Sequence, residues 1–245
     1  MAIKAPRFKA KLEIIKKPFI HDFCILFSYH KNDPITHRHF DLFKSLNPHC
    51  PIVPIAFSNT SINGTFNVGH IRSPWIETNE WRACDVPLYK WFLNRTHTAR
   101  RYILVEYDVL PEVSVNDYFS DVWNDDIGTP CYLDKKTHKG KWNWFGEIDR
   151  LPEQYRQFAA GIVPLATLFV KHDALASIVD KAVGMNDIFC ELRMGTCAKA
   201  SGIVPRIMQK SKSVRHHISL IKKLDCKTFY HPIKSDADMN RIFNK

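Results

Sequence analysis

The run Phe23-Cys24-Ile25-Leu26-Phe27 constrains this chain most, because five successive apolar side chains leave no strand face for water. A strand with one solvated face alternates in polarity, whereas a continuous run belongs to a sheet covered on both sides. Ser28 and a polar turn, Tyr29-His30-Lys31-Asn32-Asp33-Pro34, end it, and Phe40, Phe43 and Leu46 then recur at helical spacing over 37–46. A second apolar run, Ile52-Val53-Pro54-Ile55-Ala56-Phe57, follows Pro48 and Pro51 and ends in Ser58 and Asn59. Buried strand, helix, buried strand opens a parallel α/β sheet, since parallel neighbours require a crossover. The 245 residues carry 45% hydrophobic side chains, enough for one sizeable core. No low-complexity linker or internal repeat divides them, so one domain over 1–245 is expected.

The same grammar continues. Residues 85–95 read as a largely apolar helix after a loop over 60–76, and Tyr102-Ile103-Leu104-Val105 reads as a third strand, running directly into Glu106-Tyr107-Asp108. Ligands of open α/β sheets bind beyond the carboxyl ends of strands, so acids at this place are well sited for chemistry. Carboxylate oxygens are hard ligands that suit Mg²⁺ or Mn²⁺, and such an ion can bridge two phosphates and offset charge on a leaving diphosphate. Taken alone, acids after a strand more often make a turn or a helix cap.

Residues 111–160 read as irregular and rich in aromatics. Trp142 and Trp144 alternate about Asn143, which in an extended segment puts both rings on one side. They suit either an acceptor groove, in a segment that Gly140 and Gly146 let move, or a satellite core beneath a long loop. Residues 162–170 read as extended, and 173–182 and 191–200 as helices. Ser201-Gly202 ends the last of these, since glycine suits a left-handed C-cap. Residues 203–209 read as a further strand.

The formal net charge of +10 favours anionic partners, and it is concentrated at the ends: Lys4, Arg7, Lys9, Lys11, Lys16 and Lys17, then Lys210, Lys212, Arg215, Lys222 and Lys223. The N-terminal cluster suits peripheral contact with an acidic membrane surface or a plain solvated face. Seven cysteines without C-x-x-C spacing, several inside apolar runs, indicate free buried thiols in a reducing compartment. No apolar stretch reaches membrane-spanning length and the start lacks a signal-peptide core, so a cytoplasmic location is expected. His216-His217 has no recognisable zinc spacing and reads as a surface pair.

The segment from Arg101 through Glu106-Tyr107-Asp108 to Leu110 resembles the metal-binding D-x-D region of GT-A glycosyltransferases, and later segments fall in that family's order. Gly161-Ile162-Val163-Pro164-Leu165-Ala166 resembles the acceptor-side glycine segment. Glu191-Leu192-Arg193-Met194-Gly195 resembles the acidic helix start where inverting members keep their base. His231, in Tyr230-His231-Pro232, resembles the late histidine that completes the metal or diphosphate site. The resemblance spans roughly 23–234 and implies an α/β, Rossmann-like GT-A domain: a mostly parallel central sheet flanked by helices. A nucleotide-binding half over about 20–110 and an acceptor half over about 111–234 follow from it.

The resemblance further implies a UDP- or GDP-sugar donor, a glycan or other hydroxyl acceptor, and Mn²⁺ or Mg²⁺ at Asp108, Glu106 and His231. Glu106 stands where the family has aspartate, and it reaches a metal directly or through water. Glu191 is implied as general base, with Asp187 as the alternative; a retaining enzyme needs neither. Tyr29, Asp33, Ser58, Asp85, Glu106 and Lys234 are implied donor contacts. Asp33-Pro34 and Asp85 before Pro87 equally signal helix starts. A second reading, a basic nucleic-acid-binding protein, lacks any helix-turn-helix, zinc-finger or RNA-recognition signature. A third is a nucleotide-sugar-binding relative without turnover. A nucleotidyltransferase would want a glycine-rich phosphate loop near residue 30, which is absent.

Overall fold

The computed structural model describes residues 18–58, 61–69, 80–95, 97–138, 141–185, 187–215, 217–221, 223 and 227–243. The basic cluster within residues 1–17, positions 60 and 70–76 of the loop over 60–76, and Gly140, His216, Lys222 and Cys226 lie outside these residues, as does the membrane contact expected of the N-terminus.

Strands β1 (His21–Ser28), β2 (Ile52–Ala56), β3 (Phe66–Asn67), β4 (Ala99–Glu106), β6 (Ile127–Thr129), β9 (Thr167–Lys171) and β10 (Arg206–Ile207) form one seven-stranded sheet in the order β10-β6-β9-β4-β1-β2-β3. Pairings β1–β2, β1–β4, β2–β3 and β6–β10 are parallel, while β9 runs antiparallel to both β4 and β6. The sheet is therefore mostly parallel, with one reversed strand near its centre. Two small antiparallel pairs stand apart, β5 (Leu110–Pro111) with β11 (Phe229–Tyr230), and β7 (Tyr132–Asp134) with β8 (Ala160–Ile162).

The apolar runs do what their lack of alternation requires. Cys24 and Leu26 of β1 and Tyr102 and Leu104 of β4 enter one core, while Ile25, Phe27, Ile103 and Val105 enter the opposite one. Helices α1 (Pro34–Leu46), α2 (Asp85–Asn94), α3 (His172–Ala182) and α4 (Cys190–Ala200) flank the sheet. Phe40 and Phe43 of α1 cover one face with Tyr118, Phe119 and Phe229; α2, α3 and α4 cover the other. Helix α4 lies directly on β8, where a Cβ on Gly195 would stand 2.4 Å from the Ala160 carbonyl oxygen. Glycine there is a close-approach requirement.

Several expectations are corrected. The extended stretch over 162–170 is two strands, β8 and β9, broken by the turn at 163–166. Only Arg206–Ile207 of 203–209 forms a strand. Trp142 and Trp144 do not share a face of an extended segment, since a 3₁₀ turn (Asn143–Arg150) starts between them. Trp142 lies against Gly161, where an added Cβ would meet its ring at 2.5 Å, and Trp144 stacks on Phe189 at 4.0 Å. Both pack on the core, as the satellite-core reading has it. A C-terminal helix, α5 (Asp236–Phe243), was not foreseen. Cys24, Cys50, Cys84, Cys131, Cys190 and Cys197 are free thiols as expected. Among the described residues, no helix is long and apolar enough to cross a membrane.

Candidate active site

Because β1 and β4 are parallel, their carboxyl ends meet at one edge, and antiparallel β9 brings its entry turn, 163–166, to the same edge. A cleft of ≈ 250 Å³ opens there, with Ser28, Tyr29 and His30 after β1, Glu106 to Asp108 after β4, and Leu165, Glu191, His231 and Lys234 around it. Open α/β sheets place ligands at such an edge.

The acidic turn is held on all sides. Tyr107 N donates to Ser28 O (2.9 Å), Glu106 N to Ala166 O (3.0 Å), and Val109 N to Glu106 O (3.0 Å). His39, fully buried on the inner face of α1, donates Nδ1–H to Tyr107 O at 2.9 Å. Ile233 N donates to Asp108 O at 2.8 Å, fixing the 231–234 segment against the turn.

His231 Nε2 thereby lies 3.3 Å from Asp108 Oδ1 and 3.8 Å from Glu106 Oε2. One ligand atom from each of Glu106, Asp108 and His231 lies within 4.8 Å of the others. The carbonyl of Arg215 accepts from His231 Nδ1 at 2.7 Å, so the neutral ring turns its Nε2 lone pair toward the two carboxylates. Asp108 Oδ1 is buried without a hydrogen-bond partner, and Lys234 Nζ lies 3.4 Å from Oδ2.

Burial opposes charge on all three groups, and their neighbours decide the outcome. For Asp108, His231 and Lys234 outweigh burial and hold the carboxyl below its usual range. For Glu106, burial and then the Asp108 charge prevail and raise it. Burial lowers His231, but Asp108 and Glu106 more than compensate and raise it. Both shifts show that the two carboxylates favour a positive charge or a proton between them, which a bound cation would also supply.

Glu191, in the first turn of α4, presents its carboxyl to the same cleft. Leu165 N donates to Oε1 at 3.1 Å, while Oε2 is buried and without a partner. Burial, supported by the charge of Glu106, pushes Glu191 up to about 8.

The remaining expected residues fall in different places. Tyr29 lines the cleft, with its hydroxyl 2.7 Å from Thr65 Oγ1. Lys234 also lines it. Asp33 caps α1, accepting from Thr36 N at 2.7 Å, and is not part of the lining. Asp85 is fully buried against Arg193 of α4, with Arg193 Nε 2.8 Å from Oδ2 and a second contact through Nη2. It is not the α2 cap either, since Cys84 occupies that position without a side-chain capping bond. Ser58 and Asp187 are exposed and outside the cleft lining.

Sequence reasoning missed His39, Trp81 and the Cys84–Cys190 pair, whose sulfurs lie 3.3 Å apart in the cleft wall. His39 left a usable signal: a histidine on the helix face that also carries Ile35, Phe40 and Phe43 must bond something inside. Trp81 and the thiols left none, because their meeting depends on the packing of α2 against α4.

No protein-family model and no curated protein matches the sequence. Among solved structures, the chain is similar to WbbM, a bifunctional glycosyltransferase in its apo form, at TM-score 0.44 and 9% identity, with 76% of this chain and 44% of WbbM covered. It thus spans less than half of that protein. It is also similar to the galactosyltransferase LgtC in complex with donor and acceptor sugar analogues, at TM-score 0.35 and 8% identity, covering 70% and 68% of the two chains. For mouse xyloside xylosyltransferase 1, apo form, the values are 0.40, 11%, 76% and 85%. All three carry the name of a glycosyltransferase. At these overlaps the function of this chain rests on its own cleft.

Proposed function

We propose that this chain transfers a sugar from a UDP- or GDP-linked donor to a hydroxyl acceptor, with Mn²⁺ or Mg²⁺ held by Asp108, His231 and Glu106. The observation that carries the reading is the convergence of those three side chains at the carboxyl edge of the sheet around an orphaned, buried Asp108 oxygen. Two hard oxygens and an imidazole nitrogen suit a divalent cation, and one would satisfy both Asp108 Oδ1 and the His231 lone pair. Such an ion supplies positive charge against the diphosphate.

The protein's own groups account for the rest. Lys234, half-exposed at the rim, offers a point charge to a phosphate. Tyr29 and His30 form the wall available to base and ribose. Glu191 accepts the proton of an acceptor hydroxyl when ionised, and Leu165 N–H fixes the carboxyl in place for that task. Asp33, Ser58, Asp85 and Asp187 have no part in this scheme.

The test is nucleotide release from a panel of UDP- and GDP-hexoses and pentoses with Mn²⁺, with and without hydroxyl acceptors. At least one donor is expected to turn over. Asp108→Ala should lower the rate at least about 100-fold, since lost outer-shell partners of a metal already cost up to that much. Absence of any donor binding, with Asp108→Ala unchanged in every respect, sinks the reading. Binding of a donor without turnover would favour the inactive relative.

A further inference from the structure

Trp81 lines the same cleft as Glu106, Asp108 and Glu191, yet 51% of it is exposed. It sits in the 3₁₀ turn Glu80–Ala83 that leads into α2. Its ring is steadied by edge contacts, Trp144 at 6.1 Å and 65° and Phe189 at 5.7 Å and 71°, with the Arg82 guanidinium 5.8 Å from its centroid. Arg82 is itself tied to Glu147 at 2.6 Å, and Glu147 accepts from Phe189 N at 3.1 Å. Among the described residues, the indole is therefore held by its neighbours and left half-exposed.

Two links join it to the helix that carries Glu191. The Cys190 thiol donates to Trp81 O at 3.7 Å, one residue before Glu191. Four residues after Trp81, Asp85 pairs with Arg193 of the same helix inside the core. Glu80 lies beside Trp81 in the cleft lining. A rigid, half-open aromatic face next to a carboxylate acceptor marks a ligand surface. A pyranose ring has the matching chemistry: one face of C–H groups that packs on an indole, and edge hydroxyls that donate to a carboxylate such as Glu80.

We propose that Trp81 is the stacking platform for a carbohydrate acceptor, which presents its hydroxyl toward Glu191. What becomes of that acceptor rests on the transferase reading above; the binding itself does not. The platform also lies within 20–110, so the acceptor site draws on both halves of the chain.

The experiment follows the indole N–H resonance of Trp81 in protein labelled at tryptophan, assigned with Trp81→Phe. Methyl β-D-glucopyranoside, lactose and the open-chain polyol sorbitol are titrated separately, each without nucleotide and with Mn²⁺ plus UDP or Mn²⁺ plus GDP. The Trp81 resonance is expected to move saturably with at least one cyclic glycoside and not with sorbitol. Glycoside affinity should fall about tenfold in Trp81→Ala, the loss of one aromatic stacking contact, while Mn²⁺–UDP affinity and the circular dichroism spectrum stay unchanged. Immobility of Trp81 with every glycoside, in the presence of bound Mn²⁺–UDP, overturns the platform and leaves the transferase reading standing. Saturable movement with UDP alone also overturns it, because the nucleobase then owns the indole. Movement with a glycoside when Mn²⁺ binds with neither UDP nor GDP supports the platform and removes the transferase reading.

Discussion

At the scale of single residues, two of the carboxyl groups in the cleft are driven to opposite states. Asp108 is kept ionised by His231 and Lys234, whereas Glu191 is held neutral by burial and by the charge of Glu106. Such divergence is how neighbouring acids take different roles. For Glu191 the consequence for stability has a definite sign. In the folded chain it keeps its proton up to about 8, while in the unfolded chain it loses it near 4.5. The folded state thus binds more protons in that window, so this group's contribution is greatest below pH 4.5 and is lost as pH rises toward 8. Glu191→Gln should abolish that part of the slope and be more stable than the native chain above pH 8, by several kcal/mol. Urea denaturation across the window measures it, and equal slopes would contradict the assignment. In turnover, a base at Glu191 makes the native rate climb with pH toward a plateau above 8. Glu191→Gln should cost roughly 10²- to 10⁴-fold on the plateau above pH 8, and progressively less as pH falls and the native carboxyl is itself protonated.

At the scale of elements, the site is placed by how α4 sits on the sheet. Asp85 and Arg193 clamp α2 to α4 through an ion pair with no exposure to water. Breaking one partner of such a pair costs about 3–5 kcal/mol, because the survivor is a buried, uncompensated charge. Arg193→Met should therefore lower the denaturation midpoint strongly, and the double change Asp85→Leu with Arg193→Met should recover much of the loss. Gly195→Ala drives a methyl into the Ala160 carbonyl, at a cost of about 1–3 kcal/mol, and displaces Glu191 with its helix. A calorimetric Tm unchanged from the native chain would show that α4 is not seated so closely.

How much of this was legible in the sequence differed by element. β1 and β4 were, because runs such as Phe23 to Phe27 have no solvated face to hide, and Gly202, at φ +75, marked the end of α4. The turn at 163–166 was not: Val163, Leu165 and Ala166 are buried whether extended or turning, so apolarity could not separate the cases. Yet that turn supplies the N–H that orients Glu191. Helix α5 was within reach, since Ser235 and Asp238 have the spacing of an N-cap pair, and Asp238 N does donate to Ser235 Oγ at 3.2 Å. Of the expected donor contacts, Asp33 and Asp85 show why an acid before a helix is ambiguous. One became a cap and the other an internal ion pair, each answering a local demand unrelated to the cleft.

At the scale of the whole molecule, parallel β1 and β4 and reversed β9 bring three loops to one edge, and the late segment 231–234 closes over them through Ile233 N to Asp108 O. The Glu106–Asp108–His231 cluster thus joins residues 125 positions apart in sequence, Glu106 and His231, and a ligand bound at the proposed metal site would tie the end of the chain to its middle. Ligand linkage then predicts a global effect: at a hundredfold excess over Kd, Mn²⁺ with UDP should add about 2.7 kcal/mol and raise the Tm by several degrees. The central claim is that Asp108, His231 and Glu106 hold one divalent cation for a nucleoside diphosphate. Isothermal titration of Mn²⁺ into the protein, with UDP present and in parallel with GDP present, tests it most directly. One equivalent of Mn²⁺ should bind the native chain, with the binding lost in Asp108→Ala and in His231→Ala while both variants remain folded. Absence of saturable Mn²⁺ binding to the native chain, or undiminished binding in both variants, would contradict the account.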